Sequence, residues 1–277
     1  MSLVPILLYH SIAREPMPLI RNFAIDGERF GEHLDRIVGL GLTSLTVSGF
    51  LDAVEREDHS LLERSVVITF DDGFADFAST AHPAALERGL STTLFVTTGL
   101  LRGGPAPAVD GDIARHMLDW SQLAELRGAG VEIGAHSHTH PHMDTLGRER
   151  AREEIIRPKA LLESALGATV DTFAYPHGYS SGRVRRLVRD AGYRGACGVK
   201  DALSSERDDR FSLARLMIRR DTTAGDVEGW LSRRGAPPPP TRESARTRCW
   251  RAYRRARALV SRRPGSDPGW PSVRVLG

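Results

Sequence analysis

The sequence predicts an α/β fold, closed as a barrel of parallel strands. Two observations point there. Short apolar runs rich in β-branched residues alternate with helix-period segments along the first 234 residues, the pattern of a parallel sheet with crossover helices. The number of alternations suits a barrel better than an open sheet. A third observation places function: four of the apolar runs end in reactive side chains, as barrel strands do where their loops build a site.

Taken in order, "VPILLY" is a short apolar run bounded by Pro5 and His10, and reads as a buried first strand. "FGEHLDRIVGLG" places Phe30, Leu34, Ile37 and Val38 at helical spacing and stops at Gly41. "SVVITF" is a second buried strand. "FADFASTAHPAALERG" follows as a helix in which Pro83 predicts a kink or break. "TTLFVTT" is the next strand, followed by a Gly/Pro/Ala-rich loop, "RGGPAPAVDGD". "DWSQLAELRGAG" opens with Asp119 and Gln122 in capping-box spacing, and Trp120 there is explained by the start of a helix and core packing. "VEIGAH" is strand-like, and "GRERAREEIIRPKALLESALG" is a helix that Pro158 is expected to interrupt. "TVDTFAYP", "RGACGV" and "LARLMI" read as strands, with "SGRVRRLVRDAG" a helix between the first two. Cys197 fits a small buried core residue.

From residue 235 the character changes. A proline run must be extended, and a basic stretch follows in which Trp250, Tyr253 and Val260 recur near helical spacing. Residues 241–277 carry ten Arg against Glu243 and Asp267, a net +8, which leaves the first 240 residues at −5. The boundaries are therefore 1–234 for a catalytic domain and 235–277 for a Pro-rich, then Arg-rich tail. That tail is either disordered or a basic amphipathic helix suited to an anionic membrane surface. The mildly acidic body argues against nucleic acid as a partner. No apolar run reaches eighteen residues, no CxxC pair exists, and the first residues lack a basic leader region, so a cytoplasmic, possibly membrane-peripheral protein is expected.

The chemistry sits at the strand ends. Asp71-Asp72-Gly73 follows "VVITF". Two adjacent carboxylates after a dry strand repel each other, and either could cap the next helix. A divalent cation would neutralise one and leave the other as a base. "GAHSHTHPHM" holds His136, His138, His140 and His142. In one helical turn after Gly134, His136 and His140 share a side, while His138 points elsewhere and His142 lies beyond Pro141. One carboxylate and two imidazoles leave a coordination position open, the form of a hydrolytic site.

"TFDDG" and "HSHTH" resemble the first two motifs of the NodB-type polysaccharide deacetylases, carbohydrate esterase family 4, with the likeness spanning Val4 to Ile218. The resemblance implies a distorted (β/α)7 barrel and metal-dependent hydrolysis of a non-peptide C–N bond, the acetamide of an N-acetylated sugar or glycan. It implies Asp71 as the catalytic base and Asp72, His136 and His140 as ligands, most simply of Zn2+, with His138 at a variable position. "FAYPHG" is similar to the family's third motif in a YPxG branch. His177 then falls where a backbone N–H serves the oxyanion, and Ala174 where an arginine normally orients the base. Arg215 is the stand-in for that arginine. The family's Leu-x-His acid is missing near the C-terminus, but Leu8-Tyr9-His10 has the same form. A permuted arrangement like that of the bacterial poly-N-acetylglucosamine deacetylases would make His10 the acid, because first and last barrel strands are neighbours. Two other readings are an amidase or O-acetyl esterase acting on a different substrate, and a glycan-binding barrel without catalysis.

Overall fold

A computed structural model describes residues 2–103, 111–238 and 245–260. The expected glycine/proline-rich loop lies largely outside them, as do Pro239 and Pro240 of the proline run and the tail beyond 260.

Eight parallel strands make the main sheet: β1 (Ile6–Tyr9), β2 (Thr43–Leu45), β3 (Ser65–Phe70), β4 (Thr93–Val96), β5 (Glu132–Ala135), β6 (Thr172–Ala174), β7 (Gly195–Cys197) and β8 (Leu216–Met217). Their spatial order is β7-β6-β5-β4-β3-β1-β8, with β2 beside β3. The last strand pairs with the first, Leu216 opposite Leu7. The sheet curls until Cys197 bridges Leu213, three residues before β8. This is the expected distorted barrel.

Side-chain alternation divides the strand residues between two cores. Val67 of β3 and Ile6 of β1 point inward with Phe95, Cys197 and Leu213. Ile68, Phe70 and Leu7 point outward against the helices. Both faces are dry, which is why the strands read as unbroken apolar runs. Thr69 and Asp71 continue the inward set of β3, so the first carboxylate of Asp71-Asp72 is delivered to the barrel's mouth by strand period alone. Cys197 is buried within the barrel, as expected, and burial pushes its thiol up to about 12.

The longer helices are α1 (Gly27–Gly39), α2 (Val47–Glu55), α3 (Trp120–Gly128), α4 (Arg148–Leu166), α5 (Gly182–Asp190), α6 (Ala224–Leu231) and α7 (Ala245–Val260). The capping box predicted at α3 is present in both directions between Asp119 and Gln122. Pro83 sits just past a π-helical turn, Phe77–Ala81, that breaks the segment as anticipated.

Three details differ from the sequence reading. Val38 is 49% exposed, and His33 takes the buried place on α1, its Nδ1 3.2 Å from the Tyr9 hydroxyl. Pro158 does not interrupt α4. The helix runs through it with Ala151, Ile155 and Leu162 buried on the same face, and that apolar contact offsets the lost hydrogen bond, a cost of about 3 kcal/mol. The first run splits at Pro5, with Leu3–Val4 pairing separately with Ser204–Ser205.

Candidate functional site

The strand ends predicted to carry reactive groups converge on one mouth. Asp71 follows β3 with its N–H donating to the Tyr9 carbonyl at 3.0 Å. The chain then turns sharply. Asp72 has φ 76° and Gly73 φ 93°, and a Cβ on Gly73 would meet Val96 Cγ1 at 3.2 Å. The left-handed pair spends backbone strain to hold two consecutive carboxylates in one buried space.

Asp71 belongs to Arg215. The guanidinium is fully buried and donates two bonds of 2.7 Å to the two carboxylate oxygens. Its Nε donates to the Gly198 carbonyl at 2.9 Å, and its Nη1 also reaches Thr69 Oγ1 at 3.2 Å. Arg215 stands at the start of β8, not its end, so the side chain approaches Asp71 from within the barrel. Burial, the largest single influence, pushes the Asp71 carboxyl up, but the Arg215 charge and its hydrogen bonds, together with His136 and His10, hold the group below the usual carboxylate range.

Asp72 faces the histidines instead. Its Oδ1 lies 3.2 Å from His140 Nε2 and 3.4 Å from His136 Nε2. Burial pushes this carboxyl up, and the histidines, His140 first, bring it well below the ordinary range. The three ligand atoms lie within 4.8 Å of one another, all on buried residues.

The donor set fits a cation. His136 Nδ1 is 2.8 Å from the Ala174 carbonyl. A carbonyl only accepts, so Nδ1 carries the proton and the Nε2 lone pair is left facing Asp72. Asp72 Oδ1 is buried and, among the described residues, faces only these two imidazole nitrogens, a costly arrangement without a positive partner. Two atoms each about 2.0–2.1 Å from a tetrahedral centre lie roughly 3.3 Å apart, close to the two spacings seen. Position 174, where an orienting arginine was missing from the sequence, thus supplies a carbonyl that fixes the tautomer of a ligand histidine.

The histidine loop does not form the helical turn expected of it. After β5 the chain reverses through left-handed Ser137 and His140, with φ of 63° and 58°. The His140 N–H donates to Ser137 Oγ at 3.0 Å. His138 Nδ1 is 2.8 Å from Thr98 Oγ1, away from the centre. His142 stacks 4.1 Å from His177. The first and third histidines face the carboxylates by backbone reversal, not by helical spacing. Glu154, buried on α4, holds the reversal: its carboxylate accepts from the His138 and Thr139 N–H groups and the Thr139 hydroxyl at 2.7–3.0 Å. Sequence reasoning passed over Glu154, although it falls on the buried face of its helix with Ala151 and Ile155.

His10 follows β1. Burial pushes its imidazole down, while the Asp72 and Asp71 charges pull it back up, which puts it within electrostatic reach of both. Its ring lies 5.4 Å from Phe23, and its buried Nδ1 has no hydrogen-bond partner among the described residues. His177 occupies a left-handed turn at φ 58°, its ring 4.5 Å from that of His140. A Cβ on Gly178 would sit 2.5 Å from Val199 Cβ, so only glycine closes this turn. Trp120 opens α3 and packs against the outer core.

A sequence model of the polysaccharide deacetylase family matches residues 58–196, half of the chain. The chain belongs to the polysaccharide deacetylase family. It is a hydrolase acting on N-acetyl groups. Among relatives, it is 23% identical over 215 residues to YxkH of Bacillus subtilis (strain 168), which carries a polysaccharide-deacetylase name. That match covers 78% of this chain and 71% of YxkH. Among solved structures, the Streptococcus pyogenes deacetylase PplD, in complex with acetate, superposes with a TM-score of 0.72 at 22% identity, covering 81% of this chain and 96% of PplD. IcaB from Ammonifex degensii gives 0.70 at 22% identity, over 83% and 97%. At these identities the likeness establishes the shared fold.

Proposed function

We propose that this family member removes the acetyl group from an N-acetylated sugar of a polysaccharide or glycoconjugate, using a zinc ion held by Asp72, His136 and His140. The observation that carries the reading is the division of labour between two adjacent aspartates. One is locked by a buried arginine and the other is turned toward two imidazoles. Bound there, the cation would polarise the acetyl carbonyl and acidify a water molecule.

Asp71 is the base. It takes the proton of the attacking water, and Arg215, a positioning residue, holds its carboxylate in one plane by a two-point contact that a lysine could not reproduce. The backbone N–H of His177 is assigned to the oxyanion that forms on the acetyl group. His10 hands a proton to the leaving amine; burial lowers its imidazole overall, and the Asp72 and Asp71 charges offset part of that and favour the protonated form. Acetate and a free amino sugar result.

The test is acetate release from an N-acetylglucosamine oligomer by zinc-loaded protein, with O-acetylated xylan and a small acetanilide alongside. Turnover of the oligomer that Asp71→Asn abolishes supports the proposal. Zinc uptake without turnover of any acetylated sugar favours the glycan-binding reading, and preference for the xylan or the anilide changes the substrate class.

A further inference from the structure

The basic tail is not detached from the body. Helix α7 lies against the short turn Met143–Thr145 that follows the histidine loop, and one arginine fastens it there. Arg254 is buried, donates to Asp144 Oδ2 at 2.6 Å, and covers the Tyr179 ring with its guanidinium 3.7 Å from the centroid. Arg255 Nε donates to the Asp144 carbonyl at 2.9 Å. Asp144 is itself fully buried and lies two residues beyond His142, whose ring meets His177. The helix is therefore fixed at the rim of the mouth.

The side of α7 away from this clamp has no partner among the described residues. Cys249, Ala252, Tyr253 and Ala256, at spacings of three, four and seven, are all exposed, and on a helix they form one stripe. Arg254 and Arg255 fall on the other side. Trp250 flanks the stripe, 48% exposed, and stacks on the 53% exposed Tyr253 with centroids 5.2 Å apart. The sixteen residues of α7 include six arginines and no acidic residue. Arg254 also reaches the Trp250 ring, its guanidinium 5.8 Å from the centroid, so the clamp holds the stacked pair in place while about half of each ring residue stays exposed.

We infer that the outer face of α7 docks on an anionic lipid bilayer, with Trp250 and Tyr253 at the headgroup–acyl boundary and the net positive charge of the helix drawing it to acidic headgroups. Aromatic rings with one polar edge favour that boundary, and each arginine near such a surface adds to the attraction. Because the two rings are stacked on each other, they offer a single apolar block in place of separate platforms for nucleic-acid bases. The clamp then carries the catalytic mouth to the membrane surface. That last consequence rests on the proposed reaction; the docking does not.

The test is co-sedimentation of the full-length chain with vesicles of pure phosphatidylcholine, or of phosphatidylcholine with phosphatidylglycerol, in the absence of substrate. Binding to the anionic vesicles alone, falling as salt is raised, is expected. The exposed-site double variant Trp250→Ser/Tyr253→Ser should bind roughly ten-fold or more weakly with an unchanged far-ultraviolet spectrum. Failure to bind anionic vesicles overturns the inference, as does equal binding by the double variant. Stronger capture by heparin or duplex DNA than by the vesicles would assign the face to an acidic polymer. Self-association lost in the double variant would assign it to a second copy of the chain. Either result overturns the lipid assignment, and none of these results depends on deacetylation.

Discussion

Asp71 and Arg215 form a buried ion pair in which each partner keeps the other tolerable inside the barrel. Removing one is worse than removing both, because an isolated buried charge is left behind. Arg215→Met is therefore expected to lower unfolding free energy by about 3–5 kcal/mol, read from urea titration. Asp71→Asn keeps the shape of the acceptor and removes the carboxylate proposed as the base. It should bind zinc as the parent does while kcat falls roughly a hundred- to ten-thousand-fold, measured by acetate release. If Asp71→Asn turned over at the parental rate, another group would have to be the base.

The loop from His136 to His142 works as an element because Glu154 on α4 ties down its turn. Glu154→Gln removes a charged acceptor from three hydrogen bonds, and zinc affinity should weaken roughly ten- to hundred-fold, measured by competition with a chelator. Helix α1 allows a pH test. His33 is buried against Tyr9, and burial brings its imidazole down to about 4. Below an unfolded value near 6.5 the unfolded chain takes up a proton that the folded chain refuses. Stability from this site is thus fully present above pH 6.5 and is lost as pH falls toward 4. Between pH 7 and pH 5 the parent should lose about 2 kcal/mol more than His33→Gln does, and equal losses in urea titrations would contradict it. At this scale the sequence was legible where period alone decides: the apolar runs, the strand ends, the α3 cap, and Asp71 on the inward face of β3. It was opaque where the backbone leaves regular geometry. Ser137, His140 and Asp72 all adopt positive φ without being glycine, so His136 and His140 meet Asp72 by backbone reversal and not by the helical spacing that pairs them in the sequence. The carbonyl of Ala174 has no side-chain signature at all. Nor could the sequence show that Arg215, at the start of its strand, reaches Asp71 through the barrel.

Across the whole molecule, closure is what assembles the site. The pairing of β8 with β1 sets the first and last strands side by side, bringing His10 and Arg215, 205 positions apart in the sequence, within electrostatic reach of the same two carboxylates. The α7 helix adds a charged rim to that mouth, fixed to the body through Arg254 and Arg255. What the closed barrel has assembled is a candidate cation site, one aspartate and two histidines beside a second, arginine-held aspartate. The most direct measurement is the zinc content of purified full-length protein and of Asp72→Ala after equilibrium dialysis, read by atomic emission. The account predicts one tightly held zinc per parent chain and its loss from the variant, with Asp71→Asn retaining it. Equal zinc in parent and Asp72→Ala would contradict it.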